Sequence, residues 1–484
     1  MSSVAERERR PRSRTAPSQR PGRGDPARDT AYQALRAVEQ GAYANLELPR
    51  LLRGARLRGR DAAFATELTY GALRMQGLYD AVIVQAAQRP VERIDAPVLD
   101  VLRLGAHQLL AMRVPDHAAV SATVALARGR ISQGSGGFVN AVLRRVGERS
   151  REQWVQEVTT SIEDPLERLA VEHSHPVWIV RALRAALIGH GVSTPERASG
   201  DLSALLQAHN APGPLTLVAR PGLGAEGELE TAGATPTPAA ATAWTLDGGD
   251  PGSLQAVRDG RAAVQDAGSQ LVTHALLGAA VDGDRGRWLD LCAGPGGKTG
   301  LLAATAAQRG ARLLATEVSP HRAELVRQTL RAAVAAGAEV EVAVRDGRMM
   351  GREAADCFDR VLVDAPCTGL GALRRRPEAR WRRMPSDLTE LGPLQRDLLV
   401  SALGAVRPGG VVAYATCSPH LAETRLVVSD VLKHTPGAQI EDVRALVTDR
   451  AGAVMAQTGD GPGAQLWPHL HGTDGMYLAL LRKT

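Results

Sequence analysis

Lysine is almost missing from this chain of 484 residues: Lys298, Lys433 and Lys483 are the only three, so its basic residues are nearly all arginine. A lysine inside a glycine-rich loop, as Lys298 is, therefore stands out. Cysteine is as scarce, with four: Cys292, Cys357, Cys367 and Cys417. None forms a C-x-x-C pair and none has a histidine beside it at zinc-ligand spacing. That speaks against a disulfide framework or a metal site, and for reduced thiols in a cytoplasmic protein. Long apolar runs are missing too. No stretch approaches the ~18 residues of a membrane span, and no apolar segment follows the basic N-terminus as in a signal peptide, so no membrane partner is expected.

Net charge is +6, but residues 1–28 hold eight arginines against Glu6, Glu8 and Asp25, which leaves the remainder near neutral. Global basicity therefore says little about a nucleic-acid partner, and local clusters carry that case. Residues 1–27, rich in Arg, Pro, Ser and Gly, lack the apolar surface to order themselves and read as a disordered basic tail.

With 44% hydrophobic residues the chain can build more than one core. From residue 28 to 150 apolar side chains recur at three- and four-residue spacings, as in Ala31, Leu35 and Val38. This predicts a bundle of five to seven helices closing on the amphipathic segment Phe138–Arg145. Residues 151–275 are mixed: a helix near 176–187, a strand at 214–220, an Ala/Thr/Pro-rich loop at 232–243 and a turn into a helix at 264–271 predict a small α/β linker domain. From 276 to 484 strands and helices alternate. Strands are expected at 287–291, 311–317, 340–345, 359–364, 410–416 and 476–482, with helices at 298–307, 319–335, 390–405 and 421–434. Such alternation predicts βαβ units, a mainly parallel sheet and so a Rossmann-like domain, with the last strand able to pair antiparallel.

Chemistry in open α/β sheets collects at the C-terminal edge of the strands. Five expected strands end in suggestive residues there. The first opens into Cys292, Ala293, Gly294, Pro295, Gly296, Gly297 and Lys298. This is not a Walker A loop, because Cys292 stands where that pattern has its first glycine, and the dinucleotide spacing G-x-G-x-x-G fails as well. What remains is a tight strand-to-helix turn whose glycines let backbone approach a ligand closely. Glu317 ends the second strand, where an acid typically grips ribose hydroxyls, and Asp346 ends the third. Either alone could be a solvated loop carboxylate. Together, in this order, they suggest an adenosyl ligand without pyrophosphate, which S-adenosylmethionine fits. Cys367 and Cys417 each follow an apolar strand. A lone strand-end cysteine is usually a small buried hydrophobe, and Cys357, with no motif around it, keeps that reading.

The runs LDLCAGPGGKTG, EVSPHR, VRDG, DAPCTGLGALRRRPEARWRR and YATCSP resemble the RsmB/NOP family of RNA cytosine-5 methyltransferases. The helical half, with FVNAVLRR, resembles the NusB-like domain of the bacterial 16S rRNA members, as do HSHPVWIV and VQDAGSQLV their intermediate segment. Two departures stand out: Gly294 where alanine is usual, and Glu317 where aspartate is usual. The resemblance implies methylation of cytosine C5 in RNA, most readily small-subunit rRNA, with S-adenosyl-L-methionine as donor, in a monomer. It assigns the nucleophile to Cys417, a carboxyl group acting on the base to Asp364, and release of the covalent adduct to Cys367. Lys298 is expected to orient Asp364 or the cofactor, and the cofactor site is expected to comprise residues 292–298 with Glu317, Arg322, Asp346 and Asp364.

The chemistry explains the residue types. Cytosine C5 takes a methyl group only after a thiolate adds at C6, and an unperturbed cysteine is only about 3% thiolate at neutral pH, so its surroundings have to help ionise it. Directly after Cys367, six arginines fall within 374–383. Beside a candidate site, and with a tryptophan able to stack on a base, Arg374, Arg375, Arg376, Trp381, Arg382 and Arg383 are expected to meet RNA. Two rival readings remain at this point, a tRNA cytosine-5 methyltransferase and a non-catalytic RNA-binding assembly factor.

Overall fold

The computed structural model describes residues 25–484. Asp25 opens the first helix, Pro26–Glu39, by accepting from the backbone N–H groups of Ala27 and Arg28, and Pro26 stands in the first turn, where its missing N–H costs nothing. Helical order thus begins within the last residues of the segment read as tail; residues 1–24 lie outside the described residues. Six further α-helices follow, ending with Ser135–Val146. Their apolar faces meet in one core, in which Leu68, Tyr79, Ile83, Val101, Leu102 and Leu143 are wholly enclosed.

The middle region begins with four helices, Arg151–Thr159, Pro165–Glu172, Val177–Gly189 and Ala198–Asn210. Then come four short antiparallel strands: β1 (Leu215–Ala219), β2 (Thr235–Pro236), β3 (Ala243–Leu246) and β4 (Ala262–Val264), in the order β2-β3-β1-β4. The stretch 232–243, read as a loop, contains β2. Its proline content hid a two-residue edge strand, where a missing N–H is tolerated.

The C-terminal region is an eight-stranded sheet built from β5 (Arg287–Asp290), β6 (Arg312–Glu317), β7 (Glu339–Val344), β8 (Phe358–Asp364), β9 (Val406–Thr416), β10 (Ala438–Glu441), β11 (Ala464–Gln465) and β12 (Tyr477–Lys483). Its order is β10-β12-β9-β8-β5-β6-β7, with β11 beside β12. Strands β5 to β9 pair in parallel, while β12 runs antiparallel between β9 and β10. The chain moves outward from β5 to β6 and β7, then returns to lay β8 on the other side of β5. That reversal opens a crevice above the C-terminal ends of β5 and β8, where ligands of such sheets bind. Both faces of the sheet are covered by apolar clusters, as a parallel sheet requires.

The run 374–383 corrects the sequence reading. Arg374 and Arg375 both reach Asp266 and Asp474, at 2.7–3.1 Å, in a nearly enclosed network. Arg380 is fully buried and donates to the carbonyls of Arg74, Ser174 and His209 and to the side-chain oxygen of Asn210. Trp381 lies so close to Gly77 that a Cβ there would come within 2.4 Å of the indole. Arg382 donates to the carbonyls of Val38, Gly41 and Ala42, and Glu378 accepts from Ala44 N at 3.2 Å. Arg374, Arg375, Trp381 and Arg382 are therefore committed to internal partners. They clasp the helical bundle and the middle region to the sheet domain, and turning them to phosphate would leave buried acids and carbonyls unpaired. Arg376 is exposed beside the Tyr43 ring, and Arg383 is partly exposed and pairs with Asp387.

Burial holds the Arg380 guanidinium down to about 9, with the charge of Arg74 adding to the effect, and no carboxylate offsets it. Removing it strands four acceptors. Arg380→Ala is expected to lower unfolding stability by about 3 kcal/mol and to split one calorimetric transition into two. A single transition at the wild-type temperature would show that the clasp does not couple the regions.

Candidate active site

The site grows from the turn after β5. Gly296 has φ 111°, a conformation open to glycine, and begins the helix Gly297–Arg309. A Cβ on Gly296 would also meet Thr329 at 2.9 Å. Thr299 Oγ1 lies 2.8 Å from Asp290 Oδ2 and 3.0 Å from Ala293 O, which ties the loop to the strand it leaves. Asp290 is enclosed, and burial pushes its carboxyl up to about 7. Lys298, on the first turn of the helix, crosses the crevice and donates to Asp364 Oδ2 at 2.7 Å. Burial alone would lower its ammonium, but Asp364 reverses this and holds it above its ordinary value.

Asp364 closes β8 and stands opposite Ala415 in the parallel pairing with β9. The chains leaving those two strands therefore run side by side, and they bring Cys367 Sγ to 3.4 Å from Cys417 Sγ. Gly371 N donates to Cys417 O at 2.9 Å, and an added Cβ at Gly371 would overlap the carbonyl of Gly475. The thiols are unequal. A hydrogen bond from Cys367 brings the Cys417 thiol below its ordinary value against the opposing effects of burial and Asp364, with help from Lys298 and Arg376. Cys367, through its hydrogen bond with Cys417 and its burial, is held well above its ordinary value.

On the other side of the loop, Glu317 ends β6 nearly enclosed. It accepts from Gly294 N at 3.1 Å and Ser319 N at 3.0 Å, and Arg322 pairs with it at 3.4 Å while donating to Gly294 O. An added Cβ at Gly294 would stand 2.3 Å from Glu317 Oε2. The longer acid thus fills the space an alanine methyl would take, and the two departures at 294 and 317 fit one another. Asp346, after β7, caps the next turn, and Arg348 holds its carboxyl below the usual range. Cys292 and Cys357 pack at the margin of the apolar cluster on one sheet face.

The structure thus gathers Lys298, Asp364, Cys367 and Cys417 at the strand-order reversal, with the 292–297 loop, Glu317 and Arg322 alongside. Residues 276–482 match the family described as 16S rRNA methyltransferase RsmB/F, and residues 25–148 match the NusB family. A ribosomal RNA small subunit methyltransferase B of Pseudomonas syringae pv. tomato is 32% identical over 94% of this chain and 96% of its own length. This chain belongs to the RsmB/F methyltransferase family. A protein of Mycobacterium tuberculosis (strain H37Rv) described only as a methyltransferase is 52% identical over 98% of this RsmB/F member and 99% of its own length. The crystal structure of PH0851 shares the fold, with a TM-score of 0.75 at 21% identity over 95% of this chain and 99% of the other.

Sequence reasoning missed three buried residues of this RsmB/F site. Glu423 is fully enclosed and receives Thr368 N at 2.7 Å, and Gln395 donates to Pro366 O at 2.8 Å. Asp290, the third, was read only as part of a strand. The signal available for Glu423 was an acid six residues after Cys417, in the mixed run Ser418 to Arg425, which spacing alone does not mark as buried.

The contact between Gly294 and Glu317 predicts a compensating pair. Gly294→Ala is expected to cost about 1–3 kcal/mol through overpacking, and Glu317→Asp in the same chain to restore at least ~1 kcal/mol of it. Urea unfolding of the four chains measures this, and strictly additive changes would refute the fit.

Proposed function

We propose that this protein methylates C5 of a cytosine in RNA, with small-subunit rRNA as substrate and S-adenosylmethionine as donor, through a covalent adduct of Cys417. The observation that carries the reading is the unequal pair of thiols, 3.4 Å apart, beside the Lys298–Asp364 ion pair. A non-catalytic RNA-binding protein has no use for a nucleophile tuned in this way.

The residues fit an adenosyl donor. Each Glu317 oxygen holds one backbone N–H and keeps acceptor capacity for ribose hydroxyls, and half-exposed Arg322 is the side chain that would yield to them. A Cβ built on Gly297 would meet nothing closer than 3.9 Å, so backbone there is open to a ligand. Bound at this loop, S-adenosylmethionine supplies an electrophilic methyl group.

The chain's own residues do the rest. The Cys417 thiolate adds to C6, and the electrons of the C5–C6 double bond move toward the N3 edge, which makes C5 enamine-like. Asp364, held in place by Lys298, accepts from the N4 amino group and orients the base, and the Lys298 ammonium beside it offsets the negative charge that develops along that edge. Once C5 carries the methyl group, its proton passes to solvent water, the electrons of that C–H bond re-form the C5–C6 double bond, and the C6–S bond breaks with its pair going back to the Cys417 sulfur. Cys367, as hydrogen-bond donor to that sulfur, favours its departure. The target cytosine has to be unpaired or flipped to enter the crevice.

Cys417→Ala should abolish methyl transfer, because no C6 adduct can form. Cys367→Ala should methylate but release poorly, leaving protein attached to RNA as a heat-stable shifted band on a denaturing gel. Full turnover in both variants would end the covalent reading. On the RNA side, exposed Arg376 is the member of the run still free to meet phosphate. Arg376→Gln should reduce the salt slope of RNA binding by about 0.7–0.9, and an unchanged slope would remove Arg376 from the interface.

A further inference from the structure

Two thiols in hydrogen-bond contact are chemically equivalent until their surroundings distinguish them, and Glu423 is placed to do so. It lies six residues beyond Cys417, at the end of the short 3₁₀ turn Leu421–Glu423, and is wholly enclosed. Its Oε1 accepts from Thr368 N at 2.7 Å and from Gln395 Nε2 at 3.2 Å, and its Oε2 accepts from the Thr368 hydroxyl. Three donors and no acceptor converge on it, the set an ionised carboxylate takes. Among the described residues no cation pairs with it. A buried carboxylate without a counter-ion is costly, and a neutral amide of the same size could hold the loop, so the charge itself calls for a use.

Its partners flank both thiols. Thr368 follows Cys367, and Gln395 also holds Pro366, which precedes it. The Thr368 hydroxyl lies 3.2 Å from that of Ser418, which follows Cys417. The charged and titratable groups facing the pair are Lys298, Asp364, Arg376, Glu423 and Tyr414. Asp364 opposes ionisation of both thiols and so does not discriminate between them. Lys298 and Arg376 favour the thiolate at Cys417, whereas Glu423 disfavours it at Cys367.

We propose that Glu423 is a positioning residue that sets which thiol is the nucleophile: bound to the backbone N–H and hydroxyl of Thr368, it clamps the Cys367 loop and holds a negative charge beside the residue that follows Cys367. The proposal rests on the cytosine methyltransferase reading for its purpose, but its test needs neither RNA nor cofactor.

The full chain is alkylated with iodoacetamide between about pH 6 and 10, and the extent at each cysteine is read by peptide mass spectrometry. In the wild type Cys417 is expected to react at lower pH than Cys367. Glu423→Gln, which keeps size and loses charge, should raise the reactivity of Cys367 at neutral pH about tenfold, equal to one pH unit in its midpoint. Thr368→Val, which loses one bond to the clamp and keeps the charge, should move it much less. An unchanged order of reactivity in folded Glu423→Gln overturns the proposal, as does an equal shift in Thr368→Val. Should Glu423→Gln not fold, Cys417→Ala provides the reading: a Cys367 midpoint at an ordinary thiol value of about 8.5 overturns the proposal, and a raised one supports it. If instead Cys417→Ala still methylates RNA, the cytosine methyltransferase mechanism fails while the alkylation result stands on its own.

Discussion

The parallel pairing of β8 with β9, in the register that sets Asp364 opposite Ala415, is the constraint on which the site depends. A parallel pair has both C-terminal ends at the same edge, so two loops leave together and their first few residues have to be neighbours. That alone brings two thiols fifty residues apart in the chain within 3.4 Å. Placing β5 next to β8 on its other side then brings Lys298 across to Asp364. A register slip in β9 would separate the sulfur atoms and turn core side chains to the wrong face at the same time. Packing energy over the whole sheet therefore enforces the geometry of a few polar atoms.

The arginine-rich composition obscures which charges act on substrate. Here a guanidinium's several donors serve the interior: Arg380 uses two nitrogens to reach four oxygens, and Arg374 and Arg375 each bridge the same two acids. Lysine could not span these sets, since its ammonium is a single point of donation without a planar fork. Conversely, Lys298 occupies a position where one donor meets one carboxylate oxygen. The contrast gives a physical reason for a lysine at this position in a chain whose basic residues are nearly all arginine.

The parallel strands and the helices between them were legible in the sequence, because apolar runs alternating with helical periodicity leave little choice of architecture. β10 was not: Ala438, Gln439, Ile440 and Glu441 form a short edge strand with no apolar run. β9 begins at Val406 rather than 410 because pairing with Phe358 resumes across an irregularity at Pro408 and Gly409, residues that read as a turn. The thiols, the lysine and the glycine loop were legible from motifs. Glu423 and Asp290 were not, since nothing local distinguishes a buried acid from a solvated one; their character comes from what the fold wraps around them. The run 374–383 misled for the same reason. Its charge pattern suits a phosphate-facing stripe, and only tertiary structure shows Asp266, Asp474 and a row of carbonyls waiting for it.

The segment from Pro366 to Arg383 joins chemistry to domain docking without a break in the chain, which raises the question of how the thiols are kept independent of the bundle. Three sets of anchors answer it in order along the chain. Thr368 is held by Glu423 and Gly371 by Cys417 O, so the loop carrying Cys367 is fixed to the loop carrying Cys417. Arg374 and Arg375 then bind Asp266 and Asp474, within the sheet domain and the helix that leads into it. Only after these do Glu378, Arg380, Trp381 and Arg382 engage the bundle and the middle region. A displacement at the bundle therefore meets a buried ionic anchor before it reaches the sulfur atoms. Arg376, the exposed residue between the second and third sets, lies over the Tyr43 ring of the bundle, as Arg382 does, and it alone of the two also acts electrostatically on Cys417.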